Sequence, residues 1–340
     1  MRAQVRYFAV VTFAELLARQ PTADIASWRS LAEQQLRGKP LSSIDVQLDR
    51  LTLAPYAASA GATKAAQLHG TAAWHIVADA RALTVDVSPL DLLKWGAQGL
   101  LLDTAELGHM ESAAQEIKFD YLQTYVMGSA DRFAATLAPS VTSGAKFWAT
   151  RVDDHAGANQ LLVLGDDQLS AAGFAAWIER RLLPAVANTQ TGASNMAHKQ
   201  IAVCLPIGVD YSTTLVHVRS LRVLFANVCH AFNLPTPLPR LHVLALIDAR
   251  DTEQSAEQFL IDAAARAVAA ITAGIDGVCV VPFDGSDVQA RRALNLQHVL
   301  ALEGGFDLAS DAVSGAAWVQ SAVAEFSQAI WTRVAAVKEP

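Results

Sequence analysis

Two arginines one helical turn apart are the first residues that suggest chemistry. Arg219 and Arg222 lie in the segment 213–232, whose apolar residues recur every three or four positions and so predict an amphipathic helix. Residues three apart are neighbours on a helix, so the two guanidinium groups could hold an anion between them. Such a pair is more often a solvated helix edge, and the pattern leaves both interpretations open.

Histidine is the other residue type that could do chemistry here. The chain has nine histidines, but none has the i, i+4 spacing or the Cys-x-x-Cys neighbours of a zinc site, so we expect no bound metal. His242 opens a predicted strand, where it is either a core or rim residue or a residue that faces a ligand. His155, in the polar run 153–157, is interpreted as part of a loop.

The composition indicates a folded protein and argues against nucleic acid and membrane as its partners. Hydrophobic residues make up 52% of the 340 residues and charged residues 17%, which predicts a large packed core. A net charge of −7 disfavours nucleic-acid binding. No apolar run reaches the ~18 residues of a membrane span. Residues 1–20 are interpreted as a helix rather than a signal peptide. Three cysteines without metal-ligand spacing indicate reduced thiols in a cytoplasmic protein.

Eight apolar strands, mostly followed by amphipathic helices, must position these residues. The strands are predicted at 74–77, 99–102, 117–126, 146–150, 160–164, 201–205, 241–247 and 277–281. The clearest helices are predicted at 170–187, 213–232, 255–273, 288–302 and 315–336. Because parallel strands need helical crossovers, this order predicts a somewhat degenerate (β/α)8 barrel, also called a TIM barrel. The connection 151–159 is too short for a helix, so the fourth and fifth strands either form a hairpin or are misplaced.

A separate extension is expected ahead of the barrel. Residues 27–38 predict a helix that is capped by Ser27 and stopped by Gly38, and residues 45–53 predict a short strand. We therefore expect an N-terminal extension, residues 1–58, whose helix and strand contact a partner. The barrel domain then comprises residues 59–340.

Five segments in the same order resemble one known family. They are SWRSLAEQQLRGK near the start, the strand and helix at 201–222, AAITAGIDGVCVVPFD, RRALNLQHVLALEGG and DAVSGAAWVQ. These segments are similar to elements of the methylmalonyl-CoA mutase family, whose substrate-binding domain is a (β/α)8 barrel. The resemblance covers both ends and the second half of the chain, but it does not extend to residues 75–165.

The resemblance implies a barrel that has lost its active site. Ser170 falls where the family's catalytic chains carry a histidine, whereas His242 is kept, and the cobalamin-binding domain has no counterpart. The chain is thus similar to a non-catalytic small subunit, which binds no cofactor and no metal itself. The expected partner is a large subunit that binds adenosylcobalamin and interconverts succinyl-CoA and (R)-methylmalonyl-CoA.

The same resemblance leaves five residues that could still bind substrate: Arg219, Arg222, His242, Asn295 and Gln297. It nevertheless favours Arg219 and Arg222 as structural ion-pair or interface residues rather than as a substrate clamp. Two alternatives stay open. The barrel could be an active acyl-CoA mutase that works with a separate cobalamin-binding chain, or it could bind a small ligand or a partner unrelated to mutase turnover. The sequence also leaves open whether a coenzyme A channel runs through the barrel.

Overall fold

The described part of the chain folds into a closed barrel of eight parallel strands. The computed structural model describes residues 24–49, 51–56, 73–81, 83, 87–107, 116–137, 147–151, 158–191, 200–235, 238–250, 254–308 and 311–336. Two short strands, β1 (Val46–Leu48) and β2 (Leu51–Leu53), precede the barrel strands. These are β3 (His75–Asp79), β4 (Gly99–Asp103), β5 (Gln123–Ser129), β6 (Phe147–Arg151), β7 (Ala158–Val163), β8 (Ile201–Pro206), β9 (His242–Ile247) and β10 (Gly277–Val280). The strands pair in chain order and β10 closes the barrel against β3, so the predicted (β/α)8 barrel is confirmed.

Helices surround the barrel, and most begin at a serine or aspartate. They are α1 (Ile25–Gln35), α2 (Pro89–Lys94), α3 (Ala130–Thr136), α4 (Ala171–Trp177), α5 (Leu183–Thr191), α6 (Tyr211–Ala231), α7 (Ala256–Ala273), α8 (Asp287–Leu302) and α9 (Ala317–Ala336). A π-helical turn, Ile178–Leu182, joins α4 to α5. Cap side chains accept a hydrogen bond from the first-turn backbone at Asp24, Ser88, Ser129, Ser170, Asp210, Ser255 and Ser286.

The connection between β6 and β7 is the irregular part of the barrel. The two strands are parallel neighbours, and Phe147 lies opposite Ala158 in the register. The hairpin considered for these strands is therefore wrong. The six residues between them lie outside the described residues, and six residues are too few for the helical crossover that parallel strands usually have. This joint makes the barrel degenerate, as expected.

Buried side chains, nearly all apolar, fill the middle of the barrel. Nine residues form this plug: Val77, Leu101, Tyr125, Trp148, Leu161, Ala202, Cys204, Leu244 and Cys279. A larger core lies between the strands and the helices. The plug separates the two ends of the barrel. Among the described residues it leaves no room for a coenzyme A channel along the barrel axis.

The N-terminal extension packs on the barrel through a hairpin. Strands β1 and β2 pair antiparallel around a turn at Asp49, whose φ is 55°, so the single strand expected at 45–53 is wrong. Leu48 and Leu53 join the main core, and Asp49 Oδ2 accepts a hydrogen bond from the backbone N–H of Ala171 at 3.1 Å. The hairpin is therefore fixed to the start of α4.

Helix α1, in contrast, buries none of its residues. Its cap is Asp24, whose Oδ1 accepts a hydrogen bond from the Ser27 backbone at 2.7 Å, so the predicted cap at Ser27 is wrong. The Trp28 ring stacks on Tyr56 with 4.9 Å between centroids. The domain boundary at residue 58 lies outside the described residues, and the partner contact of this extension stays a prediction.

A membrane-spanning helix needs about 20 mostly apolar residues. In the part of the chain that the structure describes, no helix is long and apolar enough to cross a bilayer.

Candidate functional site

Asp79 and Asp248 stand at the same level at the carboxyl end of the barrel. In the register, Ala78 of β3 and Ile247 of β9 both lie opposite Val280 of β10. The next residues are the two aspartates, one strand to either side of β10. Neighbouring strands lie ~4.8 Å apart, so the two backbones are about 10 Å apart. Because Ala78 and Ile247 belong to the outer core and side chains alternate along a strand, both carboxylates turn toward the barrel mouth.

Each aspartate binds the arginine two residues later, and the geometry is the same in both cases. Asp79 Oδ1 accepts hydrogen bonds from the Arg81 backbone N–H (3.1 Å) and from its Nε (2.8 Å), and Oδ2 accepts one from Nη2 (2.8 Å). Asp248 accepts the same three from Arg250, at 3.2, 2.8 and 2.6 Å. No residue in the described part of the chain pairs with Nη1 of either arginine. Among the described residues, each guanidinium group is thus held through its Nε and Nη2, and its Nη1 is unpaired.

The charges of these two pairs interact with each other. The hydrogen bond from Arg250 lowers the pKa of Asp248, and Arg81 lowers it further. The pKa of Arg250 is raised, first by its hydrogen bond to Asp248 and also by Asp79. The charges of the two pairs thus form one electrostatic site, which we call the mouth site: Asp79, Arg81, Asp248 and Arg250.

Two buried thiols of the plug lie within electrostatic reach of Arg81. Burial raises the pKa of Cys204 to about 12 and that of Cys279 well above its usual value. Both therefore stay neutral, and neither has the lowered pKa of a reactive cysteine. The plug therefore presents neutral groups beneath the charged mouth.

A second polar cluster lies at the amino end of the barrel, on the other side of the plug. A cavity of about 260 Å³, which we call the amino-end pocket, is lined by His75, Gln123, Trp148, Gln200, Arg240, His242 and Asp276. Asp276 Oδ2 accepts hydrogen bonds from Arg222 Nη2 (2.9 Å) and from the Val243 backbone (2.8 Å), and Oδ1 accepts one from Arg240. Burial would raise the pKa of Asp276, but Arg222 and its other partners more than offset this and lower it.

The rings of Trp148 and His242 line the amino-end pocket, and both pack against Tyr125 of the plug. Tyr125 Oη and His242 Nε2 are 2.5 Å apart, and the Trp148 ring stacks on both, at 5.1 and 4.7 Å between centroids. Burial raises the pKa of Tyr125 and lowers that of His242 to about 4. Both are neutral near pH 7, so Tyr125 donates and His242 accepts.

The structure separates the two arginines that the sequence placed together. Arg219 makes a two-fold ion pair with Asp311, at 3.0 and 3.1 Å, in the helical layer. Arg222 instead reaches the amino end, where it also donates to the carbonyl oxygens of Leu241 (2.8 Å) and Gly274 (2.6 Å). Of the predicted site residues, Arg222 and His242 come together around Asp276.

The remaining predicted residues lie elsewhere. Ser170 caps α4, because its Oγ accepts a hydrogen bond from the Gly173 backbone at 3.1 Å. Asn295 is exposed on α8, and Gln297 of the same helix is fully buried, with its Nε2 3.5 Å from the Ala293 carbonyl oxygen. Ligand binding by any of the five predicted residues stays a prediction.

The residues of the mouth site were missed at the sequence level, although a signal was present. The triplet Asp-Ala-Arg occurs at 79–81 and again at 248–250, each time directly after an apolar strand. The carboxyl ends of parallel barrel strands meet at one face, so the repeat places two identical ion pairs together. The repeated triplet at two strand ends is therefore the sequence signal that indicates the mouth site.

Another cavity, of about 550 Å³, lies beside the carboxyl end of β7. It is lined by Val163, Gly165, Asp167, Gln168, Gly173, Ala176, Trp177, Arg180 and Arg181. The π-helical turn carries its two exposed arginines, and Trp177 Nε1 donates to the Val163 carbonyl oxygen at 2.9 Å. The cavity lies outside the mouth site, because it shares none of that site's residues.

A metal site would need several ligand side chains close together in the described ranges. There, no three His, Cys, Asp or Glu side chains lie close enough together to hold a metal ion. His155 and the run 153–157 lie outside the described residues.

Comparison with known proteins gives only distant similarities. The chain matches no known protein-family model and none of the curated proteins. Among solved structures, it is similar to dihydropteroate synthases. The Burkholderia cenocepacia enzyme complexed with 7,8-dihydropteroate is 12% identical, with a TM-score of 0.42, and the match covers 70% of this chain and 94% of that chain. The Coxiella burnetii enzyme in complex with pteroic acid is 14% identical, with a TM-score of 0.41 and coverage of 69% and 99%. The Yersinia pestis enzyme is 16% identical, with a TM-score of 0.36 and coverage of 68% and 93%.

These findings correct the identification made from the sequence. The prediction of a methylmalonyl-CoA mutase small subunit is wrong, since the solved structures to which the chain is similar are dihydropteroate synthases. Three predictions that depended on this identification are therefore wrong as well. They are the isomerase reaction, the mutase large subunit as heterodimer partner, and acyl-CoA as ligand. The buried plug also leaves the described part of the barrel without the axial channel that coenzyme A would need. That the chain binds no cofactor stays a prediction.

Proposed function

We propose that this barrel binds a small dianionic molecule at its carboxyl mouth, between Arg81 and Arg250. The observation that carries the proposal is the pair of identical ion pairs on either side of β10. Ligands of (β/α)8 barrels bind at this face, where the loops after the strands meet. A similar fold alone does not imply a function, so the proposal depends on the site.

The geometry of each pair favours an anion as the ligand. A guanidinium group that is held by a carboxylate on one edge keeps a planar, charged edge for a carboxylate or phosphate. The Arg81 side chain is 27% exposed and that of Arg250 is 47% exposed, so both can be reached from the mouth. The two guanidinium groups interact electrostatically, so together they suit a ligand that carries two negative charges.

The proposal is one of binding rather than of proton transfer. A general acid or base needs a pKa near the working pH. The pKa of Asp248 is lowered and the pKa values of Arg81 and Arg250 are raised, so these groups keep their charges. They can therefore position and neutralise an anion, and any chemistry would need other groups.

The test is a thermal-shift and calorimetric titration with succinate, glycerol phosphate and inorganic phosphate. We expect a saturable rise in melting temperature with at least one dianion, because a ligand that binds only the folded state stabilises it. Arg81→Gln and Arg250→Gln should each weaken binding about tenfold or more. The ligands 4-aminobenzoate and 7,8-dihydropteroate, which occur in dihydropteroate synthase complexes, serve as further probes.

Arg240→Gln is the matched control for this test. Arg240 is also half-exposed and paired with an aspartate, but it lies at the opposite end of the barrel. The control should leave dianion binding unchanged. If no dianion binds, or if Arg240→Gln weakens binding as much as Arg250→Gln does, the proposal is wrong.

A cytoplasmic location belongs to the same proposal. All three cysteines, Cys204, Cys229 and Cys279, are free and buried, as is usual for a protein of a reducing compartment. Cell fractionation with an antibody against the chain would test it.

A further inference from the structure

The amino-end pocket has the features of a binding site in its own right. His75 opens β3, Gln123 opens β5 and His242 opens β9, so side chains from well-separated strands meet around one cavity. Its volume of about 260 Å³ is just below the ~300–1,000 Å³ of pockets for drug-sized ligands. The volume therefore limits the occupant to a small molecule.

Arg240 gives the pocket a positive charge. The carboxylate of Asp276 is shared by Arg222 and Arg240, so these three groups carry one net positive charge. The Arg222 side chain is 5% exposed, whereas that of Arg240 is 50% exposed, which places the surplus charge at the rim of the cavity. Burial lowers the pKa of His75 and of His242, so neither adds charge near neutral pH. The electrostatics favour a monoanion.

Trp148 provides a flat wall of the pocket. The residue lines the cavity and is only 6% exposed, yet its Nε1 has no hydrogen-bond partner among the described residues. That nitrogen is itself buried, so the part of Trp148 that the cavity can use is the flat face of its ring. Planar ligands also pack well against an indole ring.

We propose that the amino-end pocket binds a small planar carboxylate, which pairs with Arg240 and lies against Trp148. A guanidinium group binds a carboxylate through two parallel hydrogen bonds, and the described contacts of Arg240 use only Nη2. The amides of Gln123 and Gln200 line the same cavity and supply further hydrogen bonds. The plug separates this site from the mouth site, so the two ligands bind independently.

Benzoate is the probe for this site, with benzamide as its neutral and benzylamine as its cationic counterpart. We expect saturable binding of benzoate in the millimolar range or tighter, measured by calorimetry and by tryptophan fluorescence. Benzamide and benzylamine should bind at least several-fold more weakly. Trp148→Phe should abolish the fluorescence change, because six other tryptophans lie outside the pocket lining.

Arg240→Gln should weaken benzoate binding about tenfold or more, and Arg250→Gln should leave it unchanged. If Arg240→Gln does not fold, Gln200→Leu tests the same pocket without touching the ion pairs of Asp276, and it should weaken binding several-fold. Absence of saturable benzoate binding to the wild type would overturn the proposal. Equal loss in Arg250→Gln and Arg240→Gln would overturn it too. Neither result depends on the dianion titration, so failure of this proposal is distinguishable from failure of the mouth site.

Discussion

Asp276 at the amino end of the barrel and Asp248 at the carboxyl end are both paired with arginine, but in opposite surroundings. The Asp276 side chain is 4% exposed and binds Arg222, Arg240 and the backbone of Val243. The Asp248 side chain is 45% exposed and binds Arg250 alone among the described side chains. A buried carboxylate needs all of its partners to offset lost hydration, whereas an exposed pair costs little to rearrange.

This difference in burial implies that the ion pairs at the two ends contribute differently to stability. Removal of one partner from the amino-end network leaves a charge buried without compensation, so that network is needed for stability. At the mouth, the exposed pair of Asp248 and Arg250 contributes little to stability, and Arg250 can therefore rearrange to meet a ligand. Arg240, at the amino end, is an intermediate case. Its own side chain is half-exposed, but the carboxylate of Asp276 with which it pairs is buried.

Asp276→Asn should have the largest effect on stability. The substitution keeps the shape of the side chain but removes the charge that compensates Arg222, and we expect it to lower the free energy of unfolding by about 3–5 kcal/mol. Asp248→Asn at the mouth should lower it by no more than ~1 kcal/mol. Urea denaturation followed by circular dichroism measures both. Equal losses in the two variants would mean that the two ends do not differ as described.

The pH dependence of stability should also separate the two ends. The folded pKa of His242, about 4, lies below its usual value of 6.5, so only the unfolded state takes up a proton between these values. Stability should therefore fall on the order of a few kcal/mol from pH 6.5 to 4 because of this group, and the loss should stop below pH 4. The pKa of Asp248 is lowered, so its contribution is present above 3.8 and is lost only in more acidic solution.

His242→Gln isolates this contribution, because His217 has a folded pKa of about 4 as well and titrates in the same range. The variant should lose less stability than the wild type between pH 6.5 and 4. His230→Gln, on the exposed side of α6, is the control for the chemical change from histidine to glutamine. Urea denaturation at a series of pH values gives the comparison. A wild-type slope in His242→Gln would contradict the prediction.

Tyr125→Phe should have a smaller effect at the amino end. The substitution removes the hydroxyl that donates to His242 Nε2 and leaves this buried acceptor without a partner, which costs about 1–3 kcal/mol. Tyr121→Phe is the control, since Tyr121 is 83% exposed and should tolerate the change within ~0.5 kcal/mol. Thermal denaturation of both variants measures the difference. If both variants are equally stable, the short hydrogen bond contributes nothing.

The barrel could be predicted from the sequence because its strands are strongly apolar. Runs such as residues 201–205 and 277–281 predict strands buried on both faces, and the structure has β8 and β10 there. The start of β5 was predicted too early, because Phe119–Tyr121 forms a 3-10 turn that is as apolar as the strand after it. Helix α4, the π-helical turn and α5 were predicted as one helix, since one apolar pattern runs through all three.

The sites could not be predicted in the same way, because they depend on register. Spacing along α6 suggested that Arg219 and Arg222 act together, but Asp311 and Asp276, far away in sequence, draw them apart. The family resemblance had a similar weakness. Short apolar and small-residue segments recur in many barrels, so their order identified the fold correctly and the family wrongly.

Arg250→Lys should give the smallest effect and is the sharpest test of the mouth site. Lysine keeps the charge but lacks the planar edge that holds Asp248 and a ligand at once, so dianion affinity should fall about five- to tenfold. The free energy of unfolding should change by less than ~1 kcal/mol, because the pair is exposed. Arg240→Lys is the control, and the calorimetric titration with the dianion should not distinguish it from the wild type. If Arg250→Lys binds the dianion as the wild type does, the mouth attracts anions by charge alone. The identical geometry of the two Asp-Ala-Arg pairs would then have no role in recognition.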